Sequence, residues 1–444
     1  MNYSQAIKYL NSFQNLEKKP FFDYKKSFRL KRFYKLCDII GHPQDSFKSI
    51  LIAGTKGKGS TCAMLHSILT EAGYKTGLYT SPHLIDVRER IKLNKTAVSK
   101  KEFSWLMSEI KDAITYANPE YALYYKDITF FEILTAAAFL YFSKKKIDFA
   151  VLEVGLGGRL DATNVACPLV SGITSISYDH TDFLGTTLRS IAKEKSGIIK
   201  ENSFVVSAPQ DSPAGNVIEN ISCRQNSKLF IIGKDIKYKC ASVNFHGTTF
   251  DYEGSYANYK NIKIPLTGAH QAQNAAVALA IVEVLKDYYY YPISKKNIIK
   301  GLKKTKWPGR FQMLHKNPYI IVDGAHNKSS AEALKRAIRD VNGKEKIDTL
   351  IFGCSVDKDI TGTGSALCAM AKNVIFTKSS SPRAADPATL LKLLSGHCCN
   401  SVIADTSKKA LILAKKLTPH NGIMLIAGSL FLAGDMIKIQ KHVK

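Results

Sequence analysis

Along the chain one plan recurs: a short apolar run rich in β-branched residues, then a polar or glycine-rich loop, then apolar positions at helical spacing. The early runs are "KSILIAG", "IDFAVLEV" and "LVSGITSIS"; later come "YIIVDGAHN", "DTLIFGCSVDKD", "NVIFTKSSSP", "SVIADTS" and "GIMLIAGS". Such alternation predicts parallel strands covered by helices, an α/β fold. Ligands of these sheets gather at the carboxyl ends of the strands, so chemistry is expected in the loops that close the quoted runs. From about Glu201 to Pro265, aromatic alternating runs and turn residues predict instead an antiparallel addition to the first domain. The basic stretch "SKKNIIKGLKKTKWPGR" precedes the second series of strands and is the candidate linker. A boundary near Lys306 divides the chain into domains 1–306 and 307–444.

Length and composition narrow the class. A chain of 444 residues holds two or three domains at roughly 150 residues each. No stretch reaches the roughly 18 uninterrupted apolar residues of a spanning helix, and "MNYSQAIKYLNSF" lacks the basic start and apolar core of a signal peptide. A soluble, cytoplasmic protein is expected. Nine scattered cysteines, with Cys398 and Cys399 adjacent, suit neither a zinc site nor a disulfide framework, so reduced thiols are expected. The net charge of +26 fits nucleic acid, an anionic membrane or small polyanionic substrates. Its densest run, seven cations between Lys295 and Arg310 with no acid, has the plain reading of a solvated helix face.

Candidate chemistry begins in "ILIAGTKGKGSTCAMLHSIL", residues 50–69. Aligned on Gly57 and Lys58, a strict Walker A would need glycine at Ile52 and a hydroxyl at Gly59. Both are missing, yet the physical parts of a phosphate cradle are present. Small residues free the backbone N–H groups, Lys58 supplies a cation, Ser60 and Thr61 supply hydroxyls, and a helix amino terminus follows. The plainer alternative is a glycine-rich turn. Two further strand ends add to it: Glu153 precedes "GLGG", where a carboxylate in a buried parallel strand calls for a bound cation, and His180 follows Asp179 after the next strand. Each alone reads equally as a paired glutamate and a loop histidine. With Ser60 they offer ligands from three successive strand ends for a nucleotide-bound magnesium. Lys195, in "SIAKEKSGIIK", is by itself a solvated lysine on a helix.

The motifs "GTKGKGS", "TSPHLIDVRERI", "FFEILTAAAFLYF", "EVGLGGRLDATN", "DHTDFLG", "IAKEKSGI", "GAHQAQNAAVAL", "WPGR", "DGAHN", "VDKD" and "AGSLFLAG", in this order, resemble the folylpolyglutamate synthase and dihydrofolate synthase family of the Mur ligase superfamily. The resemblance runs from about residue 1 to 434, with no motif only between 201 and 260. It implies a P-loop-type, mostly parallel sheet domain followed by a smaller Rossmann-like domain, with ATP bound between them and closure assembling the site. The implied reaction is ATP-dependent amide ligation: a substrate carboxylate attacks the γ-phosphate, and L-glutamate captures the acyl phosphate.

Carried onto this sequence, the resemblance gives Gly54, Thr55, Gly57, Lys58 and Gly59 the phosphates, and Ser60, Glu153 and His180 a magnesium ion. It makes Lys195 a carbamylated ligand of a second magnesium. Asn274, Arg310 and Asp323 resemble nucleotide contacts, the last two reaching from the second domain; His326 and Ser429 resemble glutamate positions, and Phe131 and Asp161 positions near the pterin. The implied partners are dihydropteroate or folates, L-glutamate and ATP, with no nucleic acid and no membrane, and the protein is expected to be a monomer. Lys56 replaces the asparagine usual in the loop, and Lys328 the proline usual after "DGAHN". Two other readings compete. Another Mur-type amino acid ligase acting on a cell-wall nucleotide would carry an extra amino-terminal domain; a basic nucleic-acid-binding P-loop protein would account for the charge without substrates.

Overall fold

The computed structural model describes residues 1–18, 28–117 and 127–442, and holds two mostly parallel sheets and one small antiparallel sheet. The first contains β1 (Lys48–Ala53), β2 (Thr76–Tyr79), β3 (Ile91–Leu93), β4 (Thr96–Ala97), β5 (Phe149–Glu153), β6 (Pro168–Ile173), β7 (Phe204–Ser207) and β8 (Lys228–Ile231). Their order is β4-β3-β2-β5-β1-β6-β7-β8, with only β3 antiparallel to its neighbours. β1 therefore lies between β5 and β6, and the chain leaves these three neighbours through loops at one edge of the sheet. That is the switch point at which open α/β sheets take ligands.

Alternation along the central strands builds two cores. Ile50, Ile52, Phe149 and Val151 pack on one face with the helices Lys58–Glu71 and Ala269–Asp287; Leu51, Ala53, Ala150 and Leu152 pack on the other with the helix Phe130–Lys144. Phe130–Lys144 and Ala269–Asp287 are apolar nearly all round, as helices enclosed by protein must be. The first is started by a capping box, in which the Thr129 side chain accepts from the Glu132 N–H and Glu132 accepts from the Thr129 N–H. Glu132 also takes a buried, forked contact from Arg32, at 2.8 to 3.0 Å.

The antiparallel addition is smaller than the sequence predicts. Only β9 (Lys237–Asn244), β10 (Gly247–Glu253) and β11 (Asn258–Ile264) form it, whereas β7 and β8, inside the stretch read as antiparallel, extend the parallel sheet. Strands of four residues are too short for alternation to distinguish a buried parallel strand from a turn-flanked hairpin.

The second sheet contains β12 (Gln312–Lys316), β13 (Tyr319–Val322), β14 (Ile347–Phe352), β15 (Ala371–Phe376), β16 (Asn400–Ile403) and β17 (Ile423–Ala427) in the order β12-β13-β17-β14-β15-β16, antiparallel only at β12. Residues 295–304 of the expected linker are helical. Ile298, Gly301 and Leu302 are buried there, and a Cβ on Gly301 would come 2.5 Å from Ile68 Cα. The cations of that helix face outward, and Lys300 and Lys304 join Lys95 around Glu71. This is the solvated helix face of the plain reading. Among the described residues no helix is long and apolar enough to cross a membrane.

Candidate active site

The loop after β1 is pinned to the loop after β6. Thr55 N donates to Ser175 O at 2.9 Å, Thr55 Oγ1 donates to Ser177 O at 3.1 Å, and Ser177 N donates back to Thr55 Oγ1 at 3.1 Å. Gly57 then turns left-handed, φ +86°, to start the helix Lys58–Glu71. That conformation suits glycine, and the space beside it is taken by Asn274 of the helix Ala269–Asp287. Gly59 meets a second neighbour: a Cβ there would come 2.5 Å from the ring of Trp307, which lies shortly before β12. Ser60 is buried in the first turn of the same helix.

Two lysines from distant positions converge on one carbonyl. Lys58 Nζ donates to Gly54 O at 3.2 Å and Lys195 Nζ donates to it at 2.8 Å. Lys195 is buried, 5 % exposed, at the end of the helix Leu188–Lys195. Loss of hydration, and then the charge of Lys58, lower its pKa to about 7 against the opposing pull of Asp179 and Asp161. Gly54, Thr55, Lys58, Gly155, Asp179, His180 and Lys195 line a single pocket.

Glu153 ends β5 next to this pocket and is buried, with Oε2 accepting from Ser81 N at 3.1 Å. Burial raises its pKa, while Lys58, the Ser81 N–H, Arg310 and Arg90 draw it down. A buried carboxylate among cations is placed to meet a positive ligand. His180 takes a left-handed φ of +51° at the start of a one-turn helix, and its side chain is 39 % exposed. Desolvation first, and then Lys358, Lys195 and Lys58, lower its pKa to about 4, so the ring is neutral and able to donate a lone pair.

Loops after the strands of the second sheet come up to these residues. Asp323, at the end of β13, accepts from Phe311 N at 2.7 Å and Ala325 N at 2.8 Å, with burial raising its pKa and Arg310 lowering it. The charge of Arg310 also acts on Glu153 of the first sheet. Asn327 Nδ2 donates to Asp179 Oδ2 at 3.4 Å across the same gap. His326 Nδ1 bonds Gly324 O at 2.8 Å, and Ser429 Oγ accepts from Phe431 N at 3.1 Å, at the ends of the adjacent strands β13 and β17.

The two positions assigned to the pterin differ in kind. The Phe131 ring packs against Gly155, where a Cβ would come 2.8 Å from it. Asp161 is fully buried and presents no free carboxylate to the cleft. Its Oδ2 accepts from Gly155 N and Leu156 N at 3.0 and 3.1 Å, and its Oδ1 from Thr163 N and Oγ1 at 2.9 and 2.6 Å. It shapes the loop beneath Phe131.

Sequence reasoning passed over Asp179, Lys358 and the Arg90 cluster. Asp179 is surrounded by His180, Lys358, His326 and Lys58, which hold its pKa low against its burial. Arg90 grips both oxygens of Glu17 at 2.7 and 2.6 Å and donates to His83 Nδ1 at 2.9 Å. The motifs "DHTDFLG", "VDKD" and "TSPHLIDVRERI" contain Asp179, Lys358 and Arg90, but nothing in their spacing singles these residues out.

Among the described residues no group of three or more His, Cys, Asp and Glu side chains forms a metal site. Of the residues expected to hold magnesium, His180 and Lys195 line the pocket and Ser60 and Glu153 are buried; Lys195 could serve only with its charge reversed. Hard oxygen donors such as the Ser60 hydroxyl and the Glu153 carboxylate suit magnesium, which takes few protein ligands and completes its shell with phosphate and water.

Comparison with known proteins places these strand ends in a wider set. The Mur ligase middle domain family matches residues 52–282, and the Mur ligase, glutamate ligase domain family matches residues 309–430. A curated dihydrofolate synthase/folylpolyglutamate synthase of Bacillus subtilis is 34% identical over 420 residues, covering 92% of this chain and 94% of its own. The solved structure of Mycobacterium tuberculosis folylpolyglutamate synthase complexed with ADP superposes with a TM-score of 0.88 at 29% identity, covering 99% of this chain and 98% of that one. Escherichia coli FolC in complex with DHPP and ADP gives 0.85 at 28%, covering 100% and 98%.

Proposed function

We propose that this chain, which belongs to the folylpolyglutamate synthase and dihydrofolate synthase family of Mur ligases, joins L-glutamate to the carboxylate of a dihydropteroate or folate with ATP as the driving nucleotide. The observation that carries this reading is the convergence of Lys58 and Lys195 on the Gly54 carbonyl, with His180 and Asp179 in the same pocket at the ends of β1 and β6.

The chemistry needs such a site. A carboxylate is a poor acyl donor because its leaving group would be oxide; as an acyl phosphate it departs as phosphate when the amine attacks. The phosphoryl group in transit spreads negative charge over its oxygens, which positioned cations and backbone N–H groups stabilise. Gly54, Thr55, Gly57, Lys58 and Gly59 would hold the phosphates, with Asn274, Arg310 and Asp323 at the nucleotide's other contacts. His326 and Ser429 would receive glutamate, and Phe131 would offer its face to the pteridine, above a loop fixed by Asp161.

Ser60, Glu153 and His180 would hold magnesium, which when bound neutralises the phosphate oxygens. Lys195 has the burial and the lowered pKa that let an amine be neutral near pH 7, the form that adds carbon dioxide with loss of a proton to give a carbamate. As a carbamate it would present anionic oxygens to a second magnesium in place of a repelling ammonium.

The test follows ADP release by the purified protein with ATP, magnesium and L-glutamate, offering dihydropteroate and tetrahydrofolate in turn. Stimulation by one or both supports the ligase and identifies its acceptor. No stimulation by either overturns it.

A further inference from the structure

The helix Ala269–Asp287 starts without a side-chain cap of its own, and hydroxyls of the small antiparallel sheet hold that start in place. Thr248 Oγ1 of β10 accepts from Gly268 N at 3.1 Å and donates to Leu266 O at 2.8 Å. In the first turns of the helix, Gln273 Oε1 accepts from the Tyr238 hydroxyl of β9 at 3.2 Å, and Gln273 Nε2 donates to Ser175 Oγ at 2.7 Å. Both ends of this amide are engaged, one on the small sheet and one on the loop after β6. An amide held at its oxygen and its nitrogen keeps one orientation.

Ser175 is where the glycine-rich loop after β1 rests. Its carbonyl accepts from Thr55 N at 2.9 Å and from Lys56 N at 3.3 Å. Two residues later Ser177 N donates to Thr55 Oγ1, which donates to Ser177 O, each at 3.1 Å. The loop after β6 then runs on to Asp179 and His180, which line the pocket with Gly54, Thr55 and Lys58. A displacement of Ser175 therefore reaches both loops of the pocket at once. Among the described residues, Gln273 is the one hydrogen-bond partner of Ser175 Oγ.

Tyr238 and Thr248 belong to the stretch between 201 and 260, which carries no sequence motif. The path from Tyr238 through Gln273 and Ser175 to Thr55 gives that stretch a use. Backbone donors stabilise phosphate charge only when they are fixed before the ligand arrives, and small misplacements are costly. We propose that Gln273, held by Tyr238, is a positioning residue of the nucleotide site, fixing Ser175 and through it the glycine-rich loop that receives the phosphates, a role that rests on the ligase reading.

The test titrates the purified full chain with ADP and magnesium by calorimetry, for wild type, Gln273→Met, Ser175→Ala, the two together and Tyr238→Phe, with urea unfolding of each. Gln273→Met keeps the reach of the side chain without its amide and should weaken ADP about three- to tenfold. Ser175→Ala should match it, and the double variant should lose no more than about twofold beyond either, because both changes break the same link. Tyr238→Phe, which frees only the far end of the amide, should lose less. In turnover, KM for ATP should rise in Gln273→Met while KM for glutamate and pteridine stays within about twofold of wild type. Lowered stability with unchanged ADP affinity would make Gln273 a structural brace and overturn the proposal, as would losses that multiply in the double variant. Unchanged ADP affinity in Ser175→Ala overturns it even where Gln273→Met fails to fold. Absence of ADP binding by the wild-type chain overturns this role and the ligase reading together.

Discussion

Gly57→Ala tests the phosphate cradle most directly, because Gly73, just past the other end of the same helix, supplies a matched control. Both glycines are left-handed, at φ +86° and +96°. An alanine in that region costs about 1 to 2 kcal/mol at either site. At Gly73 nothing lies within 4 Å of the added Cβ, so that is the whole cost. At Gly57 the Cβ would come 2.8 Å from Asn274 Cγ and closer still to its Oδ1, below the 3.0 Å that real Cβ contacts keep. Asn274 must move, with loss of its 3.0 Å bond to Gln271 Oε1, which adds about 1 kcal/mol. Equilibrium urea unfolding should therefore show Gly57→Ala losing about 2 to 3 kcal/mol and Gly73→Ala about 1 to 2. The sharper readout is ADP affinity by titration calorimetry. Displacing the loop and Asn274 together should weaken ADP about tenfold or more in Gly57→Ala, against no change in Gly73→Ala. Equal ADP affinity in the two variants would refute the cradle, and equal stability losses would refute the clash with Asn274.

Lys195→Ala should lose roughly tenfold more activity than Lys193→Ala, and wild-type activity should climb as pH rises through about 7, where the Lys195 amine becomes neutral; equal losses or a flat profile would count against carbamylation. In carbonate-free buffer the same amine makes the fold less stable at low pH. Its folded pKa is about 7 against 10.5 for the free side chain, so the unfolded chain binds more protons between those values and stability rises with pH across that window, by an amount on the order of 5 kcal/mol if no other group compensates. Glu153→Gln should raise the magnesium concentration needed for half-maximal ADP release, and an unchanged requirement would mean that this carboxylate does not face the ion. Arg32→Met leaves Glu132 buried without its forked partner at the start of the helix that carries Phe131, and should cost roughly 3 to 5 kcal/mol in urea unfolding; a loss under about 1 kcal/mol would refute the importance of the pair.

Much of this protein is written locally. The apolar runs that became β1, β5, β6, β13, β14, β15, β16 and β17 were legible because a buried parallel strand needs little more than a few consecutive apolar residues between turn signals. The glycine-rich loop after β1 was legible as a candidate site because its glycines, lysine and hydroxyls are contiguous. Asp161 and Lys195 mark where that reading stops. A carboxylate beside a glycine loop suggests a ligand contact, yet four donors of its own segment fill the Asp161 oxygens. A lysine on a polar helix suggests solvent, yet Lys195 is buried against a carbonyl 141 positions away in the chain.

The sequence by itself determined the class of the fold, the order of its strands along the chain and the composition of its glycine loop, because each depends on neighbouring residues. Only the tertiary structure decided that Lys195 is desolvated and that Asp161 is consumed by its own loop. Burial, charge coupling and hydrogen bonding are properties of what surrounds a side chain.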